Sequence, residues 1–129
     1  GTVTRIVDQF PVDQQEQIRV QLADSLLAVA CQNLVPRADI RGMVAAFEFM
    51  YVTNAVANLI RENKTFRIPS AIQTGKKFGM QMMDEHLLRL YCEGKISSQE
   101  TIDCSHTPSE MQEKIEAYDA GQIASPKAI

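Results

Sequence analysis

Apolar residues recur at helical spacing over most of this chain and give way to a denser run in one place. Val3, Ile6, Val7 and Phe10 fall at i, i+3, i+4 and i+7, which predicts an amphipathic helix ended by Pro11. Asp13 followed by Glu16 has the form of a capping box. It opens a second helix with Ile18, Leu22, Leu26 and Val29 on its apolar face and an end near Cys31. Leu34-Val35-Pro36 then reads as a short strand. Met43 to Val52, MVAAFEFMYV, reads as a longer one, apolar on both faces except at Glu48, as a buried strand would be. The polar stretch from Arg37 to Gly42 between them has the length of a hairpin loop.

After Val52 the period is helical almost to the end. Thr53 or Asn54 caps the stretch NAVANLIRE, in which Val56, Leu59 and Ile60 form one stripe and place Ala57, Asn58 and Arg61 toward the other face. Pro69 suits the first turn of a helix that carries Ile72 and ends between Gly75 and Gly79. Met80, Met83, Leu87 and Tyr91 share one register on a longer helix, which Gly94 closes. Ser97 with Glu100 opens a short helix by the capping-box pattern. Thr107-Pro108-Ser109-Glu110 opens the last one, with Met111, Ile115 and Tyr118 on its face and Gly121 at its end. Residues 1–120 are expected to fold and 121–129 to form a flexible tail. The expected architecture is mostly α with a short β-hairpin.

Size and charge narrow the function classes. A chain of 129 residues fits one domain with a real core, and 45% apolar with 22% charged residues is ordinary for a globular chain. A net charge of −3 with scattered basic residues argues against a nucleic-acid partner. No apolar run approaches the ~20 residues that span a bilayer, and no signal-peptide pattern opens the chain. Three cysteines without a CxxC pair fit reduced thiols in the cytoplasm, not a disulfide framework.

Four candidate chemistries fail on spacing or surroundings. Gly75-Lys76-Lys77 has the GK of a phosphate loop, but such a loop needs a glycine five residues earlier and a hydroxyl after the lysine. Position 70 is serine, position 77 is lysine, and no strand precedes them. No ATP cradle, catalytic residue or bound cofactor is therefore expected in this chain. His86, Cys92, Cys104 and His106 are zinc-ligand types whose spacings match no ligand-pair pattern, so no metal site is expected. A Cys/His catalytic pair lacks the third group that would orient it. Met80, Met82 and Met83 read as core filler. Glu48 is different: a carboxylate in a buried strand needs a partner, and Arg41, Arg61 or Arg67 would supply a structural ion pair.

Four stretches together resemble the carboxy-terminal part of the twitching-motility retraction ATPases, the PilT family of type IV pilus motors. They are RIVDQFPVDQQEQIRVQLADSLLAV at 5–29, RGMVAAFEFM at 41–50, NAVANLIRE at 54–62 and SAIQTGKKFGMQMMDEHLLRLYCEGKIS at 70–97. They run in family order and carry the resemblance to about residue 118. The resemblance implies the carboxy-terminal portion of a RecA-like α/β P-loop ATPase domain, with the Walker A loop, Walker B strand and acidic box upstream of Gly1. It implies ATP and Mg²⁺ in the parent chain and none here, a hexameric ring, and work at the cytoplasmic face of the inner membrane against a pilus platform protein. It also implies a motor-coupling motif, carried here by Ala55, Val56, Asn58, Leu59, Ile60, Arg61 and Glu62. Three positions depart from the family pattern: Ala57 replaces the motif's first arginine, Met43 stands where a basic residue is common, and Met82 where threonine is usual. Pilus-extension and type II secretion motors, the neighbouring class, carry a four-cysteine zinc insertion between the two strands. The loop from Pro36 to Gly42 has no cysteine, which favours the retraction type. The alternative from another class is a helical protein-interaction module without nucleotide chemistry.

Overall fold

The computed structural model describes residues 2–127. Its elements are α1 (Thr2–Asp8), α2 (Val12–Ser25), β1 (Ala28–Pro36), β2 (Met43–Tyr51), α3 (Asn54–Arg61), α4 (Ile68–Thr74), α5 (Met83–Cys92), α6 (Ser98–Cys104) and α7 (Pro108–Asp119). Short 3-10 turns, Thr65–Arg67 and Lys76–Phe78, flank α4. The mostly helical architecture with one β-hairpin is thus the one the hydrophobic pattern predicts. The chain forms two units, residues 2–29 with 50–80 and residues 30–49 with 81–127.

In the first unit α1 packs on α2, α2 on α3 and α3 on α4. Val3, Val7, Ala23, Met50, Val56, Ala57, Ile60, Ile72 and Met80 are its buried apolar residues. Ile6 and Phe10, expected on the buried face of the first helix, stay more than a third exposed, and Phe10 lies beyond the end of α1 at Asp8. Gly75 lies directly against the Met80 sulfur, so a Cβ there would oblige the Met80 side chain to shift. Its place in the GK pair is therefore that of a helix end under a methionine.

Two boundaries differ from expectation. The second helix lacks the predicted box: Pro11 is its N-cap and no side chain caps it. It also stops at Ser25, where Leu26 turns extended, instead of reaching Cys31. Residues 28–36 alternate in burial, with Val29, Cys31, Asn33 and Val35 turned inward, and pair with β2 as one hairpin. The first strand is longer than the predicted Leu34–Pro36 because ladder bonding to nine residues of β2 outweighs a helical pattern that Val29 also fits. The hairpin closes with the Arg37 amide donating to the Gly42 carbonyl at 2.9 Å, and Gly42 holds a φ of 134° that disfavours a side chain.

The second strand is not buried on both faces. Ala46 and Met50 are buried, whereas Met43, Phe47 and Tyr51 are 54%, 41% and 44% exposed. A two-stranded sheet packed on one side leaves alternate residues outward, and the apolar outward set hid that alternation in the sequence.

The second unit has its core between the hairpin and α5, α6 and α7. Val35, Ala46, Met83, Leu87, Leu88, Leu90, Ile96, Met111 and Ile115 form one buried cluster. Gln81 forms an isolated antiparallel bridge to Phe49, each amide donating to the other's carbonyl at 2.9 Å. Lys95 N–H reaches the Leu90 carbonyl and Gln122 N–H the Ala117 carbonyl, so Gly94 and Gly121 close α5 and α7 as expected. Ser97 Oγ accepts from Glu100 N–H at 3.1 Å, the forward half of the predicted box. Thr107 does not cap α7; its hydroxyl donates to Asp84 Oδ2 at 2.9 Å instead. Of the predicted tail, 128–129 lies outside the described residues, and Arg89 Nη1 donates to the Lys127 carbonyl at 3.4 Å. Among the described residues no helix is long and apolar enough to cross a membrane.

Candidate functional site

The motif helix α3 is defined sharply at both ends. Thr53 Oγ1 accepts from Val56 N–H at 3.3 Å, satisfying one of the amides that the first turn leaves open. At the other end Asn63 adopts φ 57°, Lys64 N–H donates to the Leu59 carbonyl at 2.8 Å and Asn63 N–H to the Ile60 carbonyl at 3.2 Å. This is a Schellman ending with asparagine in the usual glycine position.

Burial divides the motif differently from the predicted stripe. Val56 and Ile60 are 0% exposed and Ala57 is 9% exposed, while Leu59 is only half-buried. Successive residues turn by about 100°, so a buried sector centred between Val56 and Ile60 extends over Ala57 and leaves Leu59 at its margin. Ala57 therefore belongs to the packed side, not to the outer face with Asn58. Ala55, Asn58 and Glu62 are exposed. Arg61 Nη1 donates to Asn58 Oδ1 at 2.6 Å and Nη2 to Asp24 Oδ1 of α2 at 2.8 Å. The outer edge of α3 thus carries an oriented guanidinium that stays 37% exposed, with Glu62 beside it and 3.6 Å from Lys64 Nζ.

The other candidates are brought into structural roles. Among the described residues no group of three metal-ligating side chains exists, so His86, Cys92, Cys104 and His106 share no centre. Burial pushes the Cys92 and Cys104 thiols up, which leaves them poor nucleophiles at neutral pH. Glu48 makes no ion pair among the described residues: Arg61 pairs with Asp24, and Arg67 lies over the Phe66 ring. Glu48 is half-buried, on the same face of β2 as the buried Ala46 and Met50. Met80 and Met83 are buried as filler, and Met82 is half-buried.

His86 holds the hairpin. Its Nδ1 accepts from Phe47 N–H at 2.9 Å, its ring stacks on Phe47, and Gln81 Nε2 approaches the same nitrogen at 3.3 Å. Gln81 is itself fixed, donating to the Phe47 carbonyl at 2.9 Å and accepting from Arg89 Nη2 at 3.1 Å. Burial, then the Arg89 charge, lowers the His86 pKa below its ordinary 6.5. A proton on Nδ1 would face two donors. Above about pH 6.5 both folded and unfolded chains carry neutral His86; as pH falls below that, the unfolded chain binds the proton first and stability declines. Unfolding midpoints should therefore drop below about pH 6.5 in the native chain and drop less in His86→Gln. Parallel urea titrations across that range check this.

Sequence reasoning missed two carboxylates. Asp84 accepts from Ser105 Oγ at 2.7 Å, Thr107 Oγ1 at 2.9 Å and His106 N–H at 3.1 Å, and so ties α5 to the connection between α6 and α7. Asp119 accepts from the Tyr91 hydroxyl at 2.7 Å, which pushes that phenol up to about 12. Neither has a local pattern, since their partners lie more than 20 residues away.

No family profile matches the chain. It is 48% identical over 96 residues to a twitching motility protein of Neisseria gonorrhoeae, covering 74% of this chain and 26% of that protein. It is 40% identical over 107 residues to the type IV pilus retractation ATPase PilT of Pseudomonas aeruginosa, covering 83% and 31%. A crystal structure of the pilus retraction motor PilT with bound ADP matches with a TM-score of 0.74 at 37% identity, over 87% of this chain and 31% of that one. The ATPase DotB of Legionella pneumophila, at 22% identity and a TM-score of 0.59, shares the fold. The chain spans roughly a quarter to a third of the length of the curated relatives it matches. Over the stretch they share, the chain is thus a relative of the twitching motility protein and of PilT, with the fold of the carboxy-terminal part of PilT.

Proposed function

We propose that this chain forms the carboxy-terminal part of the ATPase domain of a pilus-retraction motor, whose complete form uses ATP and Mg²⁺ to drive pilus disassembly. The likeness to the ADP-bound pilus retraction motor, over 87% of the chain, carries this reading. The complete protein would act as a homo-oligomeric, hexameric ring in the cytoplasm, against the platform protein at the inner membrane. Within it α3 takes the coupling role. Val56, Ala57 and Ile60 hold the helix rigid, and Asn58, Arg61 and Glu62 contact a neighbouring subunit or the pilus base.

The second reading, a pilus-extension or secretion motor, is disfavoured by the hairpin loop. Its six residues, 37–42, close tightly and hold no cysteine for a tetrahedral metal site. Disrupting the gene separates the two readings. Loss of twitching with surface pili retained is expected; loss of the pili themselves would replace retraction by extension.

The 129-residue chain alone is expected neither to hydrolyse ATP nor to bind it with micromolar affinity, because its sequence has no GxxxxGK[ST] loop to wrap the phosphates. Calorimetric titration with Mg-ATP checks this. Micromolar binding would overturn the placement of the nucleotide site outside these residues.

A further inference from the structure

Between Lys64 and Gly79 the chain carries four basic residues, Lys64, Arg67, Lys76 and Lys77, and no acidic one, although its net charge is −3; Lys64 is offset by Glu62, 3.6 Å away. The same stretch holds the two most exposed aromatic rings among the described residues, Phe66 at 73% and Phe78 at 61%. Each ring has a cation from its own 3-10 turn beside it. The Arg67 guanidinium carbon lies 5.7 Å from the Phe66 centroid, and Lys77 Nζ lies 5.1 Å from that of Phe78. The two turns bracket α4, whose seven residues span about 10 Å. Only Ile72 of α4 is buried, and its exposed positions Pro69, Ser70, Gln73 and Thr74 carry no charge.

A single exposed phenylalanine is unremarkable on a protein surface. Two of them within thirteen residues, each beside a cation and separated by a helix with no charged residue, place apolar and cationic groups together on one short stretch of chain. An acidic peptide would neutralise the cations and leave the rings in water. An anionic bilayer satisfies both groups, since rings enter the boundary between headgroups and acyl chains while cations stay among the phosphates. We propose that the stretch from Phe66 to Phe78 docks on the surface of a bilayer of anionic phospholipid. The contact is reversible and salt-sensitive, with each Lys or Arg near the surface contributing about five-fold in affinity. The inference is independent of the motor reading.

The test is co-sedimentation of the chain with phosphatidylcholine vesicles, with and without phosphatidylglycerol. Binding is expected only with phosphatidylglycerol, and release is expected at about 1 M salt, where the Debye length falls to about 3 Å. Arg67→Glu with Lys77→Glu should weaken binding by more than about ten-fold. Phe66→Ser with Phe78→Ser should weaken it several-fold at unchanged charge. All four positions are exposed, so thermal unfolding of both double variants should match that of the native chain. Failure to bind phosphatidylglycerol vesicles overturns the proposal, as does capture by poly-glutamate beads without vesicle binding. Full retention by the double Phe variant overturns it too, since binding would then be charge attraction alone.

Discussion

Replacing Ile60 by alanine should destabilise the chain by about 2–5 kcal/mol, the usual cost of removing a fully buried aliphatic side chain. Ile60 is 0% exposed on the packed side of α3, which joins α2 and α4 in the first unit. The loss is a large share of the roughly 5–15 kcal/mol that holds a domain folded. Leu59→Ala should cost less, about 1–2 kcal/mol, because Leu59 is already half in water. Arg61→Ala should cost under about 1 kcal/mol, since its pair with Asp24 is largely solvated, at 37% and 62% exposure. Urea unfolding would show this as falling midpoints at constant slope, in the order Ile60, Leu59, Arg61. An Arg61 variant as unstable as the Ile60 variant would mean that the guanidinium is chiefly structural.

Helices were legible in the sequence wherever local chemistry defines them. Thr53 and Ser97 cap α3 and α6 through their own hydroxyls, and Gly94 and Gly121 end α5 and α7, all within a few residues of the pattern that signals them. The boundary between α2 and β1 was not legible. Leu22, Leu26 and Val29 continue a helical face, while Val29, Cys31, Asn33 and Val35 begin an alternating one. Pairing with β2, a non-local event, decides between them.

The site shows the same division. The caps and the buried pair Val56 and Ile60 followed from spacing. Which flank of that pair packs did not, because alanine gives little hydrophobic signal and Ala57 is buried where Leu59 was expected. The Arg61 partner, Asp24, lies 37 residues away on α2, and no motif joins the two. Glu48 shows the reverse error: it was read as fully buried and therefore paired, whereas on the packed face of β2 it is only half-buried and makes no ion pair among the described residues.

The proposed coupling role makes α3 a helix with two separable sides, a packed one for rigidity and a polar edge for force transfer. A hydrogen bond to a charged group is worth about 1.5–3 kcal/mol, so losing one from Arg61 across a subunit or platform contact should lower coupling about ten-fold or more. Asp24→Ala removes the internal pair while leaving the guanidinium in place, and serves as the control for a structural effect. The decisive measurement is the retraction rate per ATP hydrolysed in the complete motor carrying Arg61→Ala. The account predicts that this ratio falls about ten-fold or more while ATP turnover and folding stay near those of the native motor and Asp24→Ala stays near native. Normal retraction by Arg61→Ala, or ATPase activity lost in proportion to motility, would contradict it.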